Sequence, residues 1–169
     1  QREETPEAIR LSVPIIKEII RAYRIPILEV AGYEADDVIG TLATEAGRQG
    51  IITYMMTPDK DYGQLVSDKV FMYRPKHTGG FEVMGVDEVK AKFDIQSPAQ
   101  VIDMLGLMGD SSDNIPGCPG VGEKTAQKLI AEFGSIENLL EHTDQLKGAL
   151  KTKVETNREM ITFSKFLAT

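Results

Sequence analysis

The sequence has few of the residues that build disulfides and zinc sites. It contains one cysteine, Cys118, and two histidines in 169 residues. A lone cysteine cannot form an internal disulfide, which fits a reducing compartment, and no His or Cys spacing suits zinc. No apolar run is long enough to span a bilayer, and no basic segment leads into an apolar one near Gln1, so no secretory signal is visible.

Positive charge is also scarce. The formal net charge is −7, although the overall content, 41% apolar and 27% charged, is ordinary for a globular protein. An acidic chain is a poor candidate for binding nucleic acid, because that affinity comes mostly from Lys and Arg on phosphates. Net charge misleads, however, if much of the acid is gathered at a metal site, where a divalent ion reverses the local electrostatics.

The pattern of apolar residues predicts an α/β layer followed by helices. Short apolar runs at 25–30 and 52–57 predict buried strands, and each is followed by acids and a helix. Two further strands flank 77–80 and predict a hairpin. From about residue 87 the pattern is helical only, with Ser97 as a cap and Pro98 as the first residue of one helix. We expect a domain boundary at residues 93/94.

Acidic residues form three clusters along the chain. The first two each lie between a predicted strand and a helix, so both are expected at the same edge of a parallel sheet, where ligands bind. The third precedes a glycine-rich turn. The clusters are Glu34, Asp36 and Asp37; Asp59 and Asp61; and Asp110 and Asp113.

Any one of these clusters has a simple structural explanation. An acid at a helix N-terminus is favoured by the dipole, by roughly 0.3–1 kcal/mol, and surface acids are common. Seven converging carboxylates would repel one another far more strongly than capping could offset, unless cations lie among them. Carboxylate oxygens are the ligands that Mg²⁺ or Mn²⁺ prefers, and two such ions form the standard clamp for cleaving a phosphodiester.

The stretch IPGCPGVGEKTAQKL, residues 115–129, predicts a tight glycine-rich turn between two helices. Glycines let the backbone approach a phosphate closely, and N–H groups at a helix start can hold an anion. Spacing alone is more typical of a plain corner between two helices. The order Pro-Gly-Val-Gly-Glu-Lys-Thr-Ala is more specific: it has the form of a helix–hairpin–helix, which binds DNA backbones without reading their sequence.

Three segments together closely resemble the 5′ nuclease domains of bacterial DNA polymerase I and the related phage 5′ nucleases and flap endonucleases. These segments are GYEADD, TPDKDYGQL and GDSSDNIPGCPGVGEKTAQKL. The resemblance implies a truncated parallel-sheet, PIN-like nuclease layer at 1–93 and a helical helix–hairpin–helix subdomain at 94–169. It implies cytoplasmic, nucleoid-associated cleavage of 5′ flaps and RNA primers during replication and repair.

The resemblance also assigns residues. The seven clustered acids match metal-binding and catalytic positions for two or more Mg²⁺ or Mn²⁺ ions, and the hairpin matches an element that often holds K⁺. The DNA-binding residues implied are Arg2, Gly117, Gly120, Val121, Gly122, Glu123, Lys124, Thr125 and Lys128. Tyr33, Lys60 and Tyr62 lie beside the acids, where packing or charge balance explains them as well as substrate contact does.

The resemblance implies that a chain starting at Gln1 lacks the first strand and most of the helical arch of such nucleases. The chain is therefore expected to be processed or cut from a longer protein with a polymerase domain. We expect weak nuclease activity or none, and self-association through exposed sheet surface. Three alternatives stay open: a non-catalytic DNA-binding module, an acidic α/β ribonuclease and a phosphatase-like small-molecule enzyme.

Overall fold

A computed structural model describes residues 5–76 and 78–169 of the chain. They divide into two compact units, residues 1–39 and 40–169. Arg2, the candidate arch arginine, lies outside the described residues. Within the described part of the chain, no helix is both long enough and apolar enough to cross a membrane.

The first unit is built around helix α1 (Glu7–Ala22). Its N-cap is Pro6, which makes no side-chain cap hydrogen bond. The prediction of a strand at residues 25–30 is wrong, because this segment has no regular structure. Pro26 cannot donate a ladder hydrogen bond, and Ile25, Leu28 and Val30 remain 50–60% exposed. Helix α2 (Ala35–Arg48) begins in this unit and continues into the second.

The second unit contains a small mixed sheet. Strand β1 (Thr53–Met56) pairs in parallel with β2 (Val70–Pro75), and β2 pairs antiparallel with β3 (Phe81–Met84). The strand and hairpin predictions for these segments are confirmed. Between β1 and β2, a 3₁₀ helix runs over Lys60–Leu65. The carboxyl end of β1 therefore leads directly into the second acidic cluster.

Helices follow the sheet, as the change of pattern near residue 87 predicts. They are α3 (Val86–Phe93), α4 (Val101–Met108), α5 (Glu123–Phe133), α6 (Ile136–Glu141), α7 (Gly148–Thr156) and α8 (Arg158–Ala168). Short 3₁₀ turns cover Pro98–Gln100 and Thr143–Gln145. Ser97 caps the first of these, as predicted, in a capping box with Gln100.

Helix α4 forms the centre of the core. Val101, Met104, Leu105 and Leu107 are all completely buried. A Cβ atom on Gly106 would come within 3.1 Å of the Lys165 Cα atom, so glycine is what lets α8 approach α4 so closely. This packing brings the C-terminal helix against the helix that leads into the third acidic cluster.

Candidate metal centre and hairpin

Three aspartates of the second unit come together. Asp61, Asp110 and Asp113 each offer a carboxylate oxygen, and these oxygens lie within 4.8 Å of one another. Asp61 lies in the 3₁₀ helix after β1, and Asp110 follows α4. The chain thus joins the second and third acidic clusters through residues almost fifty positions apart.

Asp59 borders this group and fixes its backbone. It is the N-cap of the 3₁₀ helix, and its Oδ1 accepts a hydrogen bond of 3.0 Å from the Asp61 N–H. The Asp59 N–H in turn donates to the Thr57 hydroxyl, at 3.1 Å. Asp59 therefore acts at least as a helix cap, which is the structural role that the sequence also allows for any one of these clusters.

Asp110 is the most enclosed of the three, with 7% of its surface exposed. Burial would raise the pKa of Asp110, but hydrogen bonds from Lys60 and from the Ser112 N–H, together with the Lys60 charge, hold it below its usual range. Lys60 forms an ion pair with Asp110. Charge balance therefore accounts for Lys60.

Asp61 lacks such compensation. Burial, followed by repulsion from Asp59, raises the pKa of Asp61 to about 6, and attraction to Lys60 only partly opposes this. The Asp61 Oδ1 atom is buried and accepts no hydrogen bond from the described part of the chain. A buried carboxylate oxygen without a partner is costly, and a cation held jointly with Asp110 and Asp113 would satisfy it. The residues present fit a divalent ion.

The first acidic cluster lies in the other unit and has different surroundings. Glu34, Asp36 and Asp37 are all exposed. The Glu34 N–H donates to Asp37 Oδ2 at 2.9 Å, which is the backbone half of a capping box at the start of α2. Their assignment as metal ligands stays a prediction. Of the two neighbouring tyrosines, Tyr62 is buried in the core, whereas Tyr33 is 68% exposed, so packing explains only Tyr62.

The glycine-rich turn joins α4 to α5 as predicted. Gly117 and Gly120 have positive φ angles of 63° and 76°, and Gly122 is the N-cap of α5. A Cβ atom on Gly117 would lie 2.3 Å from the Gly109 nitrogen, so only glycine fits there. Val121 is buried and anchors the turn, whereas the side chains of Glu123, Lys124 and Lys128 are exposed.

The acidic group and the turn form one continuous structure. Asp110 and Ile115 exchange two backbone hydrogen bonds, of 2.8 and 2.9 Å, and these close the loop that carries Asp113. The Cys118 N–H then donates to the Leu107 carbonyl at 2.7 Å. The backbone that positions Asp110 and Asp113 is therefore tied directly to the backbone of the turn.

Two polar residues that sequence reasoning missed also contact the turn. The Ser164 hydroxyl of α8 accepts a hydrogen bond from the Gly117 N–H, and the Lys153 ammonium of α7 donates to the Gly120 carbonyl. Both residues belong to a polar C-terminal helical run in which no motif marks them. The only sequence signal is indirect: a serine on the apolar side of the amphipathic pattern of α8.

Known proteins match the chain over nearly its whole length. Residues 1–94 match the family model of the 5′-3′ exonuclease N-terminal resolvase-like domain, and residues 96–169 match that of the 5′-3′ exonuclease C-terminal SAM fold. The chain is 46% identical to DNA polymerase I of Bacillus subtilis, over 99% of this chain and 19% of the relative. It is 40% identical to the 5′-3′ exonuclease of Aquifex aeolicus, over 87% of this chain and 50% of that protein.

Among solved structures, the fold is similar to bacteriophage T5 5′-exonuclease with zinc ions bound. The TM-score is 0.79 at 22% identity, over 98% of this chain and 62% of that chain. The chain spans about a fifth of the length of its DNA polymerase I relatives. On the match of both domain models, the chain belongs to the 5′-3′ exonuclease family.

Proposed function

We propose that this chain forms part of a DNA polymerase I and contributes to a 5′-3′ exonuclease and structure-specific 5′ flap endonuclease. Its substrates would be DNA with a 5′ flap or nick, and RNA primers paired to DNA. The observation that carries the proposal is the pair of hydrogen bonds between Asp110 and Ile115. These bonds join a partly buried group of carboxylates to the glycine-rich turn between α4 and α5. A metal centre and a phosphate-binding turn joined in this way suit cleavage of a phosphodiester.

The proposed metal ligands are led by Asp61, Asp110 and Asp113, whose oxygens are already close together. Metal binding is also proposed for Glu34, Asp36, Asp37 and Asp59, because these residues match the family motifs. A pair of Mg²⁺ or Mn²⁺ ions would activate water and stabilise the charge that develops on the phosphate. The T5 5′-exonuclease has been solved with divalent metal ions, and a T5 flap endonuclease variant with DNA and metal ions, which supports the same chemistry here.

The hairpin residues would hold the duplex by its backbone. Gly122 is the N-cap of α5, and backbone N–H groups at a helix start suit a phosphate oxygen. Lys124 and Lys128 are four apart on α5 and both exposed, so they add positive charge to one face. Carbonyl groups of the turn would hold K⁺. Glu123 and Thr125 belong to the same helix start, and Arg2 would add charge from the chain start.

Metal and DNA binding test the proposal together. We expect Mn²⁺ titration to show two sites, and a short DNA duplex with a 5′ flap to bind without sequence preference. The control variant is Asp144→Asn, which alters an exposed acid of the second unit and should leave Mn²⁺ binding unchanged. DNA binding without Mn²⁺ sites would instead favour a non-catalytic hairpin module. Cleavage of a single-stranded RNA in preference to the flap would favour an acidic ribonuclease.

Two further expectations belong to the proposal. The chain alone should cleave a 5′ flap weakly or not at all, and its domain boundary should lie at residues 93/94. Self-association would use β1, an edge strand of the described sheet, whose Tyr54 and Met56 residues are 55% and 73% exposed. Light scattering at rising concentration should show dimers, and a mass that stays monomeric would contradict this.

A further inference from the structure

Two helices, α7 and α8, contact the hairpin, and α8 does so from its buried side. The Gly117 N–H donates to the Ser164 hydroxyl at 2.9 Å, and this hydroxyl donates to the Met160 carbonyl at 2.7 Å. Ser164 is completely buried. Its hydroxyl is therefore used as both donor and acceptor, and its orientation is fixed by its own helix.

The position that Ser164 holds has little freedom. Gly117 is buried, with its backbone against Gly109, and any Cβ atom at Gly117 would overlap that neighbour. Gly109 directly precedes Asp110. The Ser164 hydroxyl thus supports the point where the hairpin backbone and the metal-site backbone touch.

A second tether holds the outer part of the hairpin. The Lys153 ammonium of α7 donates to the Gly120 carbonyl at 3.2 Å, and the Lys153 carbonyl accepts a weak hydrogen bond from the Cys118 thiol at 3.8 Å. This tether is exposed, so we expect it to contribute less than the buried one.

We propose that Ser164 is a positioning residue for DNA binding, and that it keeps the hairpin in its phosphate-binding shape with help from Lys153. The inference rests on the proposed function, since it concerns the same DNA-backbone grip. Ser164 has no exposed surface with which to touch DNA, so it must act through Gly117. Removing its hydroxyl leaves a buried N–H group without its acceptor, and the turn should relax to rehydrate that group.

The test compares Ser164→Ala with Thr162→Ala. Thr162 lies on the same helix and makes the same kind of bond to its own backbone, to the Arg158 carbonyl, but it is exposed. We expect Ser164→Ala to weaken binding of a short 5′-flap DNA duplex roughly 10-fold. The slope of log Kd against log salt should stay unchanged, because no phosphate contact by a charge is lost. Thr162→Ala should bind like the original chain.

Amide hydrogen exchange without DNA separates this inference from the proposed function. Exchange at Gly117 should be faster in Ser164→Ala, and Ser164→Cys should be intermediate because a thiol is a weak acceptor. Equal DNA affinities for the Ala variants, or equal exchange at Gly117, would overturn the inference alone. An original chain that binds no DNA would overturn the proposed function as well.

Discussion

The two acid-rich regions of the molecule share a composition but not an environment. Glu34, Asp36 and Asp37 are exposed, and Asp37 serves as a helix cap. In the other region Asp110 is almost fully buried, and Asp61 has a buried oxygen without a partner. The comparison teaches that enclosure, more than the number of neighbouring carboxylates, creates the energetic demand for a cation.

An enclosed acid that already has its counter-ion should show the largest effect on stability. Asp103 is 5% exposed and accepts hydrogen bonds from Lys165, at 2.6 Å, and from the Ile136 N–H, at 2.9 Å. We expect Asp103→Ala to lower the free energy of unfolding by about 3 kcal/mol, because the buried Ile136 N–H loses its acceptor and Lys165 keeps only its ion pair with Glu137. Urea unfolding measures this. Asp144→Ala, at an exposed position, should lower the free energy of unfolding by less than about 0.5 kcal/mol. Equal losses for the two variants would contradict the view that enclosure determines the cost.

Metal affinity should separate the two regions next. Asp110→Asn keeps the shape of the side chain but removes the charge, so we expect Mn²⁺ to bind at least roughly 10-fold more weakly. Asp36→Asn, in the exposed cluster, should cause a smaller loss, and Asp144→Asn none. Isothermal titration gives all three values. If Asp36→Asn lost more Mn²⁺ affinity than Asp110→Asn, the exposure of a carboxylate would not determine how much it contributes to metal binding.

The unpartnered oxygen of Asp61 predicts a pH effect on the metal-free protein. Because burial raises its pKa from 3.8 to about 6, the folded state binds this proton more tightly than the unfolded state. Its contribution therefore favours folding at low pH and is lost as the pH rises from about 4 to about 6. After allowance for solvent screening, we expect Asp61→Asn to add roughly 1 kcal/mol of stability at neutral pH without metal.

Urea unfolding in the presence of a chelator, at several pH values, tests this expectation. Added Mn²⁺ should make the original chain the more stable of the two, because the Asp61 carboxylate lets it bind the ion more tightly. A variant that is less stable than the original chain in chelator would show that Asp61 has a partner in solution.

The smallest effect should come from the exposed cluster. Asp37→Ala removes the acceptor of the Glu34 N–H, so the first turn of α2 should lose about 0.5–1 kcal/mol. Amide exchange at Glu34 should become several-fold faster, while Asp36→Ala leaves it nearly unchanged. Equal acceleration in both variants would mean that charge near the helix start, rather than the cap, protects this amide.

Local patterns predicted the parts of the fold whose hydrogen bonds are also local. The β2–β3 hairpin, the capping box at Ser97 and the start of α5 after Gly122 depend on residues a few positions apart. The strand expected at 25–30 failed for the opposite reason. An apolar run becomes a strand only if another strand pairs with it, and in the described chain this segment makes no such pair.

The residue types of the candidate site and their order can be read from the amino-acid sequence: carboxylates after a strand, then glycines that permit the tight turn. The packing of the folded chain selects which carboxylates meet and which of them Lys60 neutralises, and it brings Ser164 and Lys153 to the turn. These outcomes join residues roughly 30 to 50 positions apart. Burial and charge compensation depend on what packs around a group, and no short stretch of sequence contains that information.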